Sequence, residues 1–166
     1  YTLFPLRSVQ YSRVKADGAV EKRIQFYKFG ALICYEDIFP YIARGFAREG
    51  ADLLVNMTND AWFGDTGAPK QHMQASVFRA VENRVPVIRA ANTGVSCFIQ
   101  PTGEITASVA TDGKDVWVSG YETASVNVAF TRTRYTIYGD LFVYFSAFML
   151  AAFFLLELLR GRVPSR

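Results

Sequence analysis

The sequence has only two cysteines and one histidine among its 166 residues. Cys34 and Cys97 are too few for a disulfide framework, so both are predicted to be free thiols. No cluster of histidine, cysteine and carboxylate residues has metal-ligand spacing, and no glycine-rich phosphate loop is present. The sequence therefore predicts neither a bound metal nor another cofactor.

The excess of positive over negative charge is also small. The formal net charge is +3, and lysine and arginine form no dense block, which argues against nucleic acid as a partner. The chain opens on Tyr1, without a charged region followed by an apolar stretch. It therefore shows no signal peptide and is expected to be a fragment or a processed piece.

Residues 1–136 have the pattern of one α/β domain. A turn signal at Asp17-Gly18 between two extended runs, 10–15 and 23–29, predicts a hairpin. Two strand-helix units follow, with strands at 30–35 and 51–57 and helices at 41–49 and 70–84. After Pro86 only strands are predicted, at 87–91, 95–100, 105–109 and 116–128. This order favours a layered α/β sandwich.

The helix predicted at 70–84 has an apolar stripe at helical spacing, formed by Met73, Val77, Phe78 and Val81. A stripe of this kind is typical of a helix that packs one face against a core. We therefore expect these four side chains to be buried against the sheet.

Residues 137–159 differ in kind from the rest of the chain. Their only charges are Asp140 and Glu157, one near each end, and 23 residues suffice to cross about 30 Å of hydrocarbon. A transmembrane helix is predicted, and the alternative is a buried helix in a soluble oligomer. The arginines of a short basic tail, residues 160–166, favour a cytoplasmic C-terminus, although Arg132 and Arg134 on the other flank weaken that bias.

Cys34 is the first candidate for chemistry, because it ends a predicted buried strand. Open α/β sheets bind their ligands at the carboxyl ends of the strands. Tyr35 and Glu36 follow it and interrupt an otherwise apolar run. The alternative is an inert thiol that only fills the core.

A second candidate is the loop after the next strand, where Asn59, Trp62 and Phe63 crowd polar and aromatic groups together. That mixture suits a substrate pocket, but it also suits a turn in which Asn59 and Asp60 satisfy local backbone donors. His72 is predicted to line the pocket or to play a structural role, because spacing does not show whether it reaches Cys34. Asn92-Thr93-Gly94, at the next strand end, is a weaker signal.

Several segments together carry a resemblance: LICYEDIFP at 32–40, NMTNDAWFG at 56–64, the Gln71-His72 pair, RAVENRVPVIRAANTGVS at 79–96 and the turn PTGE at 101–104. In order and spacing they resemble the C-terminal half of the nitrilase superfamily. The NDAWFG loop, the QH pair and the apolar C-terminal span look like the lipoprotein N-acyltransferase family within it.

The resemblance implies a nitrilase-type αββα sandwich, of which this chain would supply the C-terminal half, on the periplasmic face of the bacterial inner membrane. It implies that Cys34 takes a fatty acyl chain from a phospholipid as a thioester and passes it to the N-terminal amine of a diacylglyceryl-cysteine apolipoprotein. Tyr35 and Glu36 match the two residues that follow the family's cysteine. Glu36 is expected to orient the site rather than act as the base, since residues two apart on a strand share a face.

The chain also departs from this family. The base glutamate and the lysine of the family's triad precede the cysteine, and neither motif occurs in residues 1–33. The chain by itself is therefore expected to be inactive. Two other hypotheses remain open: a nitrilase-type amidohydrolase that uses water as second nucleophile, and a membrane-tethered binding domain without catalysis.

Overall fold

One mixed sheet organises the computed structural model, which describes residues 2–14, 20–128 and 131–160. Its strands are β1 (Leu3–Val14), β2 (Val20–Ile33), β3 (Leu53–Asn59), β4 (Val87–Asn92), β5 (Cys97–Ile99) and β6 (Ile105–Ser108). The helices are α1 (Pro40–Arg48), α2 (Ala68–Asn83), α3 (Arg134–Tyr138) and α4 (Leu141–Arg160). Two short 3₁₀ helices, Cys34–Ile38 and Ala61–Phe63, follow β2 and β3.

The six described strands lie side by side in chain order. β2, β3 and β4 are parallel, whereas β1 pairs antiparallel with β2, and β5 and β6 add antiparallel strands beyond β4. The predicted hairpin is therefore present, and β2 joins two of the predicted strands into one; its turn at Asp17-Gly18 lies outside the described residues. Parallel pairing brings the carboxyl ends of β2, β3 and β4 to the same edge of the sheet.

The core lies between the sheet and helices α1 and α2. Leu32, Leu54 and Val87, one from each parallel strand, are fully buried. Gly30 lies directly under Phe46 of α1, and a Cβ there would come within 2.5 Å of the ring. Glycine is thus required where the helix approaches the strand most closely.

The opposite face of the sheet carries exposed apolar side chains. Ile33 and Met57 are neighbours in register, and Ala90 pairs with Met57 on the next strand. Ile33 is 52% exposed and Met57 is 47% exposed. The described residues therefore form one helix layer on one sheet, the arrangement expected of half of an αββα sandwich.

The expected apolar face of α2 is only partly confirmed. Met73 is buried, but Phe78 is 60% exposed and Val81 is also on the surface. The side chains that α2 buries are mostly polar and include His72 and Arg79. The prediction was wrong for Phe78 and Val81 because it considered apolarity alone, whereas α2 packs polar side chains against Arg89 of β4 and the carboxylates that follow β2 and β3.

The strand predicted at 116–128 is absent, since these residues carry no ladder to another strand. The segment is held at separate points instead. The Trp117 N–H donates to the Thr93 carbonyl. The Gln100 side chain donates to the Ser125 carbonyl and accepts from the Asn127 N–H. A side chain thus supplies the hydrogen bonds that a neighbouring strand would have supplied.

Helix α4 is long and apolar enough to cross a membrane, and none of its most apolar window is buried against the described residues. It begins at Leu141, after a break at Gly139, so residues 137 and 138 belong to α3. Arg44 of α1 ties α3 to the domain by donating to the carbonyls of Tyr135, Thr136 and Ile137. The basic tail at 161–166 lies outside the described residues.

Candidate active site

Cys34 lies on a sharp turn where β2 ends. The strand stops at Ile33, one residue before the thiol, and Cys34 opens the 3₁₀ helix with a φ of +52°. A positive φ is uncommon for a residue with a side chain, and such strain persists only where neighbours hold it. Here the Asn56 side-chain amide donates to the Cys34 carbonyl at 3.0 Å. The Glu36 carboxylate accepts from the Ile33 N–H at 2.8 Å.

The Cys34 sulfur is surrounded by hydrogen-bond donors. Thr58 Oγ1 lies 3.5 Å from Sγ, and the backbone N–H groups of Asn59 and Tyr35 also point at it. The Thr58 hydroxyl contributes most to holding the pKa of Cys34 below its usual value; burial opposes it, and the two N–H groups and the charge of His72 assist it. Since the thiolate is the nucleophilic form of cysteine, this environment favours reactivity.

Tyr35 and Glu36 occupy different parts of this turn. The Tyr35 ring is half exposed and stacks on the imidazole of His72, with centroids 4.6 Å apart and planes 21° from parallel. Glu36 folds back onto the start of the turn through its bond to Ile33. The premise that Cys34 and Glu36 share a strand face was wrong, because both lie in the 3₁₀ helix.

His72 is buried between two carboxylates. Its Nδ1 lies 2.8 Å from Asp60 Oδ1 and its Nε2 lies 2.9 Å from Asp37 Oδ1. Arg89 Nη2, which only donates, also lies 3.0 Å from Nδ1, so these contacts fit either a neutral or a protonated ring. Burial works against the protonated form, but the hydrogen bond and charge of Asp37, helped by Asp60, raise the pKa of His72 overall.

Arg89 completes the buried network from the middle of β4. Its Nη1 donates to Asp37 Oδ2 at 2.7 Å and to Asn56 Oδ1 at 3.0 Å, and its Nη2 donates to Asp60 Oδ2 at 3.0 Å. The side chains of Arg89 and both aspartates are inaccessible to solvent. The Arg89 guanidinium thus faces two carboxylates, and buried charges are tolerated when they are paired in this way.

The loop after β3 is held against β4. Asn59 Oδ1 accepts from the Ala61 N–H and from the Asn92 amide, so Asn59 makes the local turn and also joins two strand ends. Gly94, which follows Asn92, leaves room for the network, because a Cβ there would collide with the Asp60 carboxylate. Only glycine fits at such a close approach.

The two aromatic residues of this loop point in different directions. Phe63 is half buried and lies near both Tyr35 and His72, with ring centroids 6.0 and 6.1 Å away. Trp62 is 84% exposed. The structure therefore brings Cys34, Tyr35, Phe63 and His72 together, whereas Trp62 projects from the rim. None of the described residues forms a group of three or more side chains suited to holding a metal ion.

Ser76 of α2 also belongs to the network, because its hydroxyl donates to Asp37 Oδ2 and accepts from Arg89 Nη1. Four network residues were not predicted from the sequence: Asp37, Thr58, Ser76 and Arg89. Thr58 and Arg89 are polar residues within otherwise apolar strands, and this signal was available in the sequence. Their partners were not, because Asp37, Asp60 and His72 come from three separate segments. The network was visible only once the chain was folded.

A free thiol on a strained turn, set at the carboxyl edge of a parallel sheet and covered by helices, is typical of α/β proteins with a cysteine nucleophile. Comparison with known sequences gives the family. The chain belongs to the carbon-nitrogen hydrolase family, whose sequence profile matches residues 6–131. The resemblance predicted from the sequence is thus confirmed.

Individual relatives are more specific. The chain is 43% identical over 117 residues to an apolipoprotein N-acyltransferase of Geobacter metallireducens. The aligned residues make up 70% of this chain and 22% of that relative. An apolipoprotein N-acyltransferase of Borreliella burgdorferi is 36% identical over 138 residues, or 83% of this chain and 25% of that one. The chain spans about a quarter or less of the length of these relatives. An amidase from Nesterenkonia sp. aligns over 50% of this chain and 34% of its own, with 26% identity and a TM-score of 0.43.

Proposed function

We propose that this chain contributes the nucleophile-bearing part of an apolipoprotein N-acyltransferase. The observation that carries the proposal is the Cys34 turn, in a chain whose relatives bear that name. In the first step the Cys34 thiolate attacks an ester carbonyl of a phospholipid, a thioester forms and the lysophospholipid leaves with a proton. In the second step the apolipoprotein's N-terminal amine attacks the thioester, an amide forms, the amine gives one proton to a base and the thiolate is released. Covalent catalysis thus divides one difficult transfer into two easier ones.

Each residue of the turn has a role in this proposal. The donors around Sγ stabilise the thiolate, and in this proposal the Tyr35 N–H also donates to the oxyanion that forms on an adding carbonyl. Glu36 orients the turn through Ile33 rather than acting as the base. Among the described residues, neither a carboxylate nor a lysine is recorded as a hydrogen-bond partner of Sγ, so we expect no turnover from this chain by itself.

The aromatic rim and α4 support a lipid substrate. Phe63 and the Tyr35–His72 stack offer an apolar wall beside Cys34, with Asn59 as the polar group of the loop and the exposed Trp62 beyond it. Helix α4 would hold the domain at the membrane that supplies the phospholipid. We place the domain on the periplasmic face of the bacterial inner membrane, with the C-terminus in the cytoplasm. A soluble amidohydrolase would have no use for α4.

Acyl transfer is tested by intact mass spectrometry of the protein encoded by the complete gene, incubated with phospholipid micelles. We expect an acyl adduct that hydroxylamine removes, as it cleaves thioesters. Cys34→Ser should abolish the adduct, and Cys97→Ser is the matched control that should keep it. An unmodified protein with Cys34 intact, or an adduct on Cys97, would contradict the proposal.

A further inference from the structure

Thr58 occupies a position between two groups that both need its hydroxyl. Its Oγ1 lies 3.5 Å from Cys34 Sγ and 3.1 Å from Asp60 Oδ1, and the residue is buried at the end of β3. A hydroxyl has one hydrogen to donate and two lone pairs that accept. It therefore cannot donate to both neighbours at once.

The protonation state of Cys34 decides which way the hydroxyl points. A Cys34 thiol would donate its S–H to Oγ1, which leaves the Thr58 hydrogen for the carboxylate of Asp60 at 3.1 Å. Once Cys34 is a thiolate, sulfur and carboxylate are both acceptors that compete for the same hydrogen.

Asp60 can release this hydrogen at little cost. It keeps the charged Arg89 as a donor to Oδ2 at 3.0 Å, and His72 Nδ1 lies 2.8 Å from Oδ1. Among the residues that the structure describes, the donors to the thiolate besides Thr58 are backbone N–H groups. Both acceptors are charged, but Asp60 keeps a guanidinium donor and the sulfur does not, so the hydroxyl gains more by rotating towards sulfur.

We propose that Thr58 is a further residue of the nucleophile site, a hydroxyl that accepts a hydrogen bond from the Cys34 thiol and rotates to donate to the thiolate. Asp60 holds the hydroxyl in its waiting orientation. The thiol proton leaves to an external base, and Thr58 keeps its own proton throughout. The inference rests on the proposed role of Cys34 as nucleophile.

The other charges near the sulfur stay in place when Thr58 is changed. They are His72 from α2, the Asp60 carboxylate held by Arg89, and the Glu36 carboxylate bound to the Ile33 N–H. A change in the titration of Cys34 on removing the hydroxyl thus reports the hydroxyl itself.

The test compares Thr58→Val, which keeps the shape and removes the hydroxyl, with Thr58→Ser, which keeps the hydroxyl. The rate of Cys34 alkylation by iodoacetamide is measured against pH on the full chain in detergent, and peptide mass spectrometry separates Cys34 from Cys97. Loss of one hydrogen bond to an anion should raise the alkylation midpoint by about one to two pH units in Thr58→Val. Thr58→Ser should stay close to the unsubstituted chain. An unchanged midpoint in Thr58→Val, or an equal rise in both variants, would overturn the proposal.

A second measurement needs no change at Thr58. Below the alkylation midpoint, the Raman S–H stretching band that disappears in Cys34→Ala should lie at the lower frequency of a hydrogen-bonded donor. A band at the frequency of a free S–H would overturn the proposal even if Thr58→Val failed to fold. Both readouts are independent of acyl transfer, so a missing thioester would refute the proposed function and leave this inference standing.

Discussion

Replacing Arg89 with methionine should destabilise the domain severely, because it removes the one arginine that neutralises two buried aspartates. Its side chain is inaccessible and bridges Asp37 at 2.7 Å and Asp60 at 3.0 Å. In Arg89→Met the two carboxylates would share a single basic partner, His72. Methionine has a comparable length and no charge, so the change tests the ion pairs rather than the packing.

The expected loss of unfolding free energy is about 3–5 kcal/mol, the usual cost of breaking a buried ion pair by removing one partner. A domain has about 5–15 kcal/mol in total, so this substitution should bring the protein close to unfolding at room temperature. The free energy of unfolding of Arg89→Lys should lie between those of Arg89→Met and the unsubstituted protein, because a single ammonium cannot reach both carboxylates in the geometry of the guanidinium fork.

The assay is urea unfolding of the full chain in detergent, followed by tryptophan fluorescence. Both tryptophans, Trp62 and Trp117, lie outside α4, so the signal reports the α/β domain and not the apolar helix. Arg48→Met is the matched control, because Arg48 is exposed in the last turn of α1 and should cost no more than about 1 kcal/mol. If Arg89→Met were as stable as Arg48→Met, the argument that paired charges hold the site together would be refuted.

Three further predictions concern pH, packing and thiol reactivity. The pKa of His72 is raised in the folded state, so its contribution to stability is complete below its ordinary pKa of about 6.5 and is lost as pH rises through the folded pKa. In urea unfolding measured across neutral pH, the free energy of unfolding should therefore fall as pH rises, and His72→Gln should remove this fall. A fall that persists in the variant would contradict the assignment to His72. Gly94→Ala should cost about 1–3 kcal/mol of unfolding free energy because its methyl group meets the buried carboxylate of Asp60. Gly67→Ala is the control, since a methyl group there has no atom within 4 Å. Equal stability of the two variants would show that the collision is absent. Burial raises the pKa of Cys97 to about 11, so at pH 8 peptide mass spectrometry should find Cys34 alkylated well before Cys97, whereas equal rates would contradict the assigned environments.

Much of the fold could be predicted from the sequence, because the signals are local. The two strand-helix units were readable from an apolar run followed by a helical stretch, and the apolar C-terminal segment from its length alone. The place of Cys34 at a strand end followed from the same run. The strand predicted at 116–128 failed because local composition does not show whether a partner strand is present.

The candidate site also has features that follow from local sequence and features that depend on the folded chain. The family, the thiol at the end of β2 and the segments at that edge of the sheet were predictable, because each depends on residues close together in the chain. The positive φ of Cys34 and the place of Thr58 between sulfur and Asp60 became visible in the folded chain. The tertiary structure also decided that α2 buries His72 and not Phe78. The physical reason is that a buried charge must find its counter-charge in space, and the positions of Asp37, Asp60 and Arg89 in the chain do not show that they meet.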